Sequence, residues 1–214
     1  MTSTLAAKAK AAAVMAHESI GQCRKYGAGH YGPERYYFHC CRVAELVATA
    51  TDDQEIVAAA ALHDVLEDVS PTSEVYHSWW LISNFGPRVA HLVYECSNVY
   101  SKDTAQQQCL EDMAQRLVQY RVLTEDDLNQ LQTQQVQALL MNRNARKTNE
   151  GARYATISDD AKIIKRADLF DNSLSMGGAP ESFVEKWMAE KAAIDKLIGT
   201  WQERHARPEP VALA

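Results

Sequence analysis

The apolar residues of this chain recur three and four positions apart along most of its length, and no convincing stretch alternates apolar and polar residues as a half-buried strand would. This spacing is the strongest constraint on the fold, because a chain without strands builds its core by packing helices on one another. We therefore predict an all-α fold. The predicted helices lie near 5–26, 36–50, 53–66, 73–84, 86–99, 103–121, 124–141, 159–175 and 181–204.

The chain has 214 residues, which is enough for one sizeable domain with its own core. We expect residues 1–205 to form this single domain, with a loop at 27–34 and a flexible tail at 206–214. The stretch from about 101 to 157 is different, because it is rich in Gln and poor in large apolar residues. We expect it to form inserted helices that pack on the surface of the bundle, or alternatively a lid or a subunit contact beside the functional site.

Composition excludes several classes of protein. A net charge of −6 disfavours a nonspecific nucleic-acid binder, and no apolar run approaches the roughly 20 residues of a membrane span. The five cysteines are odd in number and form no C-x-x-C pair, which indicates reduced thiols in a cytoplasmic protein.

The segment "ALHDVLEDV" places four polar residues in apolar surroundings: His63, Asp64, Glu67 and Asp68. On a helix, positions four apart share a face, so His63 stacks with Glu67 and Asp64 with Asp68. The preceding "EIVAAAAL" is too apolar for an ordinary solvated helix. The pattern therefore predicts a small polar site set into the core.

Two further residues extend this site. His39 shares the apolar face of its helix with Val43 and Leu46, and Asp168 lies on a face that begins at Ile164 and becomes polar toward the helix end. Taken alone, His39 is more typical of a hydrogen-bonded core histidine and Asp168 of a solvated carboxylate. However, a hydrolytic metal needs about three or four protein ligands, more than one His–Asp pair supplies.

This order of H, then HD, then D, each on a helix, resembles the HD-domain metal-dependent phosphohydrolases. The finer resemblance is to the hydrolase domain of the RelA/SpoT family, including its single-domain small alarmone hydrolases. It implies an HD-domain helical bundle and covers roughly residues 16–100 and 158–176. Five segments carry it in the family's order: "GQCRKYG", "FHCCRVAELVA", "AAALHDVLEDV", "NFGPRVAHLV" and "AKIIKRADLFDN".

The resemblance implies one divalent metal, with Mn²⁺ as the first choice. Mixed imidazole and carboxylate ligands suit Mn²⁺ and also accommodate Zn²⁺ and Fe²⁺. A thiolate site at Cys40 or Cys41 is disfavoured, because we expect the helix positions beside His39 to point elsewhere. The implied ligands are His39, His63, Asp64 and Asp168.

The resemblance gives Glu67 and Asp68 catalytic roles rather than metal-binding ones. They would orient and deprotonate the attacking water and manage protons at the leaving group, while the metal lowers the pKa of that water. The alternative is that the two acids lie in a solvated turn at the end of the helix. That alternative is disfavoured, because acidic side chains at a helix C-terminus oppose the helix dipole. The implied reaction is hydrolysis of the 3′-pyrophosphate of an alarmone, (p)ppGpp or its adenosine analogue, as in the stringent response.

The substrate-binding residues are also implied by the resemblance. Arg24 and its neighbour Lys25 would line the nucleotide pocket, since arginine stacks on bases and forms bidentate hydrogen bonds with phosphate. Asn172 would hydrogen-bond the ribose or a phosphate, and Ser175 stands where the family usually has Thr. We expect Lys165 to contact the substrate as part of a basic stretch.

That stretch precedes the Asp168 helix in an otherwise acidic chain. We expect this basic stretch to bind the pyrophosphate of the substrate. The alternative is that its side chains form an ordinary solvated helix face. Its members are Arg143, Arg146, Lys147, Arg153, Lys162, Lys165 and Arg166.

The chain departs from the family pattern near the base pocket. Tyr26 replaces the usual Ser, and Ser97 and Asn98 replace a Thr–Lys pair. The same metal centre therefore also fits another nucleotide, such as NADPH or a deoxynucleotide, and a degenerate HD scaffold would give a non-catalytic nucleotide-binding sensor. A di-iron oxygenase is disfavoured, because only His77 and His91 lie between Asp64 and Asp168 as extra ligands. The expected partner is a small-molecule nucleotide, with a homo-oligomer as a further possibility.

Overall fold

The computed structural model of the protein describes residues 4–26 and 34–205. Its regular structure is helical, and the β-type pairing among these residues is an isolated bridge between Cys23 and Arg35. The prediction of an all-α fold is confirmed. The α-helices are α1 (Leu5–Ser19), α2 (Tyr37–Ala50), α3 (Gln54–Leu62), α4 (Ser78–Phe85), α5 (Pro87–Cys96), α6 (Thr104–Gln119), α7 (Glu125–Leu140), α8 (Arg143–Tyr154), α9 (Asp159–Leu174), α10 (Glu181–Ile198) and α11 (Trp201–His205).

Several predicted boundaries were wrong. Helix α1 ends at Ser19 because Gly21 adopts a positive φ of 62°, a conformation that favours glycine and cannot continue a helix. The helix predicted from 73 begins only at Ser78. Most of the predicted loop at 27–34 and the whole predicted tail at 206–214 lie outside the described residues.

The centre of the bundle is formed by α1, α2 and α3, which pack on one another. Helix α3 is apolar on every side, and its four successive alanines, residues 58–61, are fully buried. Helix α1 faces it with Ala9, Ala13 and Ala16, also fully buried. These side chains are short, so the helices approach closely. A helix that is apolar all round belongs inside a core, and the residues that follow α3 therefore begin deep in the protein.

The Gln-rich segment packs on the bundle. Helix α6 packs against α4, α5 and the segment after α3, and it buries four residues spaced as one helical face: Leu110, Met113, Ala114 and Leu117. Helix α7 lies on α6, while α8 packs against α10. Helix α6 thus packs on the bundle through one buried apolar face, and a lid or subunit contact stays a prediction. None of the described helices combines the length and the apolar character needed to cross a membrane.

Candidate metal centre

The site lies where α2, α3 and α9 meet. The predicted helix at 53–66 instead ends at Leu62, and the chain turns at Asp64 (φ −96°, ψ −5°) into a π-helical segment, Val65–Val69. A short 3₁₀ turn, Ser70–Thr72, follows. The wider π turn is a local irregularity of the kind often found at functional sites. It carries Glu67 and Asp68.

The four predicted metal ligands come together at this point. His63 Nε2 lies 3.0 Å from Asp64 Oδ2 and 3.6 Å from Asp168 Oδ1. His39 Nε2 lies 3.2 Å from Asp168 Oδ1 and 3.5 Å from Asp64 Oδ2. Both imidazoles are buried, and their rings meet nearly edge to face. His39, His63 and Asp168 thus place their ligand atoms within 4.8 Å of one another, and Asp64 adjoins this group through the two imidazoles.

The hydrogen bonds on the far side of each ring indicate its tautomer. His63 Nδ1 lies 2.8 Å from the carbonyl oxygen of Ala60, which accepts only, so Nδ1 carries the hydrogen. His39 Nδ1 donates in the same way to Asp171 Oδ2 at 2.7 Å. The Nε2 atoms of both rings therefore face the carboxylates. Neither buried Nε2 atom has a hydrogen-bond partner, and a cation between the four groups would satisfy both nitrogens.

The two facing carboxylates are held ionised. Burial alone would raise the pKa of Asp168, but Lys165 and the two imidazoles hold it well below its usual range. Lys165 Nζ lies 2.9 Å from Asp168 Oδ2, and the Tyr36 hydroxyl donates to Asp64 Oδ2 at 2.7 Å. Burial lowers the pKa of His39, but the carboxylates around it outweigh burial and raise that pKa to about 9. The centre therefore attracts positive charge, which is what a divalent cation supplies.

Asp171 supports the centre from outside, and the sequence analysis did not single it out. It accepts from His39 on one oxygen and from Arg42 Nε on the other at 2.7 Å, while Arg24 Nη1 lies 3.2 Å away. Burial would raise the pKa of Asp171, yet His39 and Arg42 lower it to about 2. The available signal was spacing, because Arg42 and Asp171 each follow a predicted ligand by three positions and so share its helix face.

Glu67 and Asp68 reach the same site from the π turn. The Asn98 backbone N–H donates to Glu67 Oε1 at 2.6 Å, and Gln22 Nε2 donates to Asp68 Oδ2 at 2.8 Å. Burial, reinforced by the neighbouring carboxylates, raises the pKa of Glu67 to about 8 and that of Asp68 to about 6. Carboxyl groups in this range exchange protons near neutral pH, as general acids and bases require.

A chain of hydrogen bonds behind Asp68 fixes Gln22. The Cys40 thiol lies 3.4 Å from His17 Nε2, and His17 Nδ1 lies 2.6 Å from Gln22 Oε1. Burial raises the pKa of the Cys40 thiol well above its usual range, so it remains protonated and donates. The prediction that Cys40 points elsewhere was wrong, because its sulfur approaches His63 and Asp64. It serves as a buried donor rather than a thiolate.

The predicted substrate-binding residues divide into two groups. Arg24 Nη2 donates to Asn172 Oδ1, and Asn172 Nδ2 donates to Asp168 Oδ1, both at 2.5 Å. Lys165 pairs with Asp168. The predicted residues Arg24, Asn172 and Lys165 therefore lie at the centre. Lys25 is exposed and lies over the Tyr26 ring. The Ser175 hydroxyl donates to the Asp171 carbonyl at the end of α9. Lys25 and Ser175 therefore lie at the margin.

The predicted basic stretch does not form one patch. Arg153 is buried against Glu150, Lys162 pairs with Asp159, and Arg166 donates to the Ile198 carbonyl. The part that faces a cleft beside the centre consists of Arg143, Arg146, Lys147 and Lys165. A cavity of about 200 Å³ between α8, α9 and α10 leads from Arg143 and Lys147 to Asp168.

Comparison with known families agrees with this geometry. A family model described as "HD domain" matches residues 12–141, more than half of the chain. The chain belongs to the HD-domain family. The match includes His39, His63 and Asp64, whereas Asp168 joins them through the packing of α9. HD domains bind divalent metals, and the histidine–carboxylate cluster of this chain is suited to hold one.

Among solved structures, the fold is similar to one described as "A metazoan ortholog of SpoT hydrolyzes ppGpp and plays a role in starvation responses". The two chains are 18% identical, with a TM-score of 0.61, and the alignment covers 92% of this chain and 87% of the other. The likeness concerns the fold, and it agrees with the RelA/SpoT-type resemblance seen in the sequence motifs. A comparison with curated proteins gave no match. The chain is thus an HD-domain protein, and it shares the fold of that solved structure.

Proposed function

We propose that this protein removes the 3′-pyrophosphate of a nucleotide alarmone, (p)ppGpp or its adenosine analogue, in a metal-dependent hydrolysis. The observation that carries the proposal is the pair of buried, unpartnered Nε2 atoms of His39 and His63 facing two carboxylates. Glu67, whose pKa is raised, lies beside them. In a cell this activity would belong to the stringent response and take place in the cytoplasm.

The proposed metal ligands are His39, His63, Asp64 and Asp168, and the proposed metal is Mn²⁺, with Zn²⁺ or Fe²⁺ suiting the same donors. A divalent cation here would neutralise phosphoryl charge and make water easier to deprotonate. The protein's own contribution is to fix the donors beforehand. Asp171 and the Ala60 carbonyl hold the two rings in the tautomer that directs Nε2 inward.

Glu67 and Asp68 are proposed to move the protons. Glu67 is oriented by the Asn98 N–H and Asp68 by Gln22. Between them, the two carboxyl groups take the proton of the attacking water and supply a proton at the leaving group. Lys165 adds a fixed positive charge beside Asp168, where phosphoryl oxygens gather negative charge.

The substrate class is supported by the charge and shape around the centre. Arg24 and Asn172 lie at the centre beside Asp168, and the adjoining cleft is lined with lysine and arginine side chains, as a polyphosphorylated ligand requires. Tyr26 packs against Phe183 with ring centroids 5.0 Å apart, forming an aromatic pair near Arg24 on which a base would stack. Tyr26 replaces the serine that the family usually has at this position, so the experiment below compares guanine and adenine as the base of the substrate.

The test is turnover of purified protein with Mn²⁺ on ppGpp, its adenosine analogue and NADPH, with each product resolved. Pyrophosphate released from one alarmone supports the proposal and identifies the base. Orthophosphate from NADPH, or triphosphate from a deoxynucleotide, would replace the alarmone with another nucleotide. Absence of turnover in protein shown to bind metal and nucleotide would favour a sensor.

Two variants make this test specific. Asp64→Asn removes one proposed ligand and should abolish metal-dependent turnover. Asp52→Asn makes the same change at an exposed position between α2 and α3 and should leave turnover unchanged. Equal activity in both variants would exclude Asp64 from the centre.

A further inference from the structure

A second concave site lies on the outer side of the metal centre, between helix α8 and the segment that joins α5 to α6. Its cavity is about 110 Å³, and four cationic side chains border it: Lys102, Arg143, Arg146 and Lys147. Lys102 comes from the joining segment, and the other three come from the first two turns of α8. The site is therefore assembled from two parts of the chain that are distant in sequence.

These cations are poorly neutralised. Lys102 and Lys147 have no ion-pair partner among the residues that the structure describes, and Arg146 donates to the Met141 carbonyl rather than to a carboxylate. Arg143 is the exception, because its guanidinium forms a two-point ion pair with the Glu190 carboxylate. In a chain with a net charge of −6, such a concentration of positive charge around one concavity favours an anion.

The cationic site adjoins the metal centre on two sides. Arg143 and Lys147 also border the cavity of about 200 Å³ that reaches Asp168 and Asn172. On the other side, Asn98 borders the cationic site, and its backbone N–H donates to Glu67 at 2.6 Å. The α8 cations therefore lie next to the cavity that reaches the proposed metal ligands.

We infer that this cationic site is a second phosphate subsite, which binds a phosphate group of the nucleotide other than the one being removed. The inference rests on the proposed function and narrows it: the preferred substrate carries phosphate groups at two separated positions. The shared chemistry, a phosphate group beside α8, also fits a free anion. The experiment separates the two sources.

The test uses the double variant Lys102→Gln/Lys147→Gln, matched by Lys162→Gln/Lys196→Gln, which removes the same charge on α9 and α10. With a nucleotide phosphorylated at two positions, such as ppGpp, the first variant should raise KM by about tenfold or more at low ionic strength with little change in kcat. With guanosine 3′-diphosphate, which carries the leaving pyrophosphate but no phosphate at a second position, KM should stay unchanged. The matched control should resemble wild type with both substrates.

A binding measurement separates failure of the subsite from failure of the proposed reaction. Inorganic pyrophosphate is titrated into the Asp64→Asn protein in the presence of a chelator, with and without the two lysine changes. Binding that is lost with the lysines supports the subsite, even if no alarmone is hydrolysed. Binding equal in both proteins would overturn it, and lysine-dependent pyrophosphate binding with an unchanged KM for ppGpp would overturn its assignment to the substrate.

Discussion

Asp171 is predicted to control metal affinity although it is not among the proposed ligands. Its Oδ2 accepts from His39 Nδ1 at 2.7 Å, and its Oδ1 accepts from Arg42 Nε at the same distance. The substitution Asp171→Asn keeps the size of the side chain but removes its charge. An amide keeps one oxygen that can accept from His39, but its NH₂ group then faces Arg42 Nε, which is also a donor.

The expected loss follows from the role of such supporting groups. Removing a partner of a ligating histidine typically costs about 10- to 100-fold in metal affinity, or about 1.4 to 2.7 kcal/mol. The loss arises because the imidazole no longer has a fixed orientation and becomes a weaker electron-pair donor. Arg24, whose side chain is 9% exposed, also loses its carboxylate partner, so some loss of stability accompanies the loss of affinity.

The assay is equilibrium titration of Mn²⁺ into chelator-treated protein, with thermal unfolding measured on the same samples. Asp159→Asn is the matched control, because Asp159 lies on the same helix with its side chain 95% exposed. Asp171→Glu retains the charge and should recover part of the affinity. A folded Asp171→Asn protein that binds Mn²⁺ as tightly as the control would refute the reasoning.

Three other predictions follow from the same geometry. Glu67→Gln should lower kcat by about 10²- to 10⁴-fold while Mn²⁺ binding is retained, measured by single-turnover product release; unchanged kcat would remove Glu67 from the proton transfers. His17→Leu should free the Gln22 amide from its orientation toward Asp68 and lower kcat by about tenfold with Mn²⁺ affinity unchanged, and wild-type kcat would show that this hydrogen-bond chain is not needed. Leu110→Ala should lower the free energy of unfolding in urea by about 2 to 5 kcal/mol because Leu110 is fully buried, whereas a loss below about 0.5 kcal/mol, the range of surface changes, would contradict the place of α6 in the core.

The sequence predicted the fold class and a converging set of side chains, because both follow from helical spacing. His39 shares an apolar face and Asp168 a face that becomes polar, so the two side chains had to point toward the interior near a helix end. The spacing within "ALHDVLEDV" likewise predicted a polar site in the core. What it could not predict was the π turn, which depends on how the segment after α3 packs against α6.

Other features depended on contacts between distant segments. Asp171 supports His39 only because α9 packs against α2, and Arg153 is buried against Glu150 rather than lying in the basic patch. Neighbours in sequence point in different directions around a helix, so seven basic residues within 143–166 could not share one surface. The assignment of residues 1–205 to one domain stays a prediction.

The measurement that tests the account most directly is pyrophosphate release from ppGpp by chelator-treated protein, before and after Mn²⁺ is added back. The account predicts no release without the metal and recovery with about one Mn²⁺ bound per chain, as a single four-ligand site implies. Release that continues in the chelated protein, or Mn²⁺-dependent release of orthophosphate in place of pyrophosphate, would contradict it.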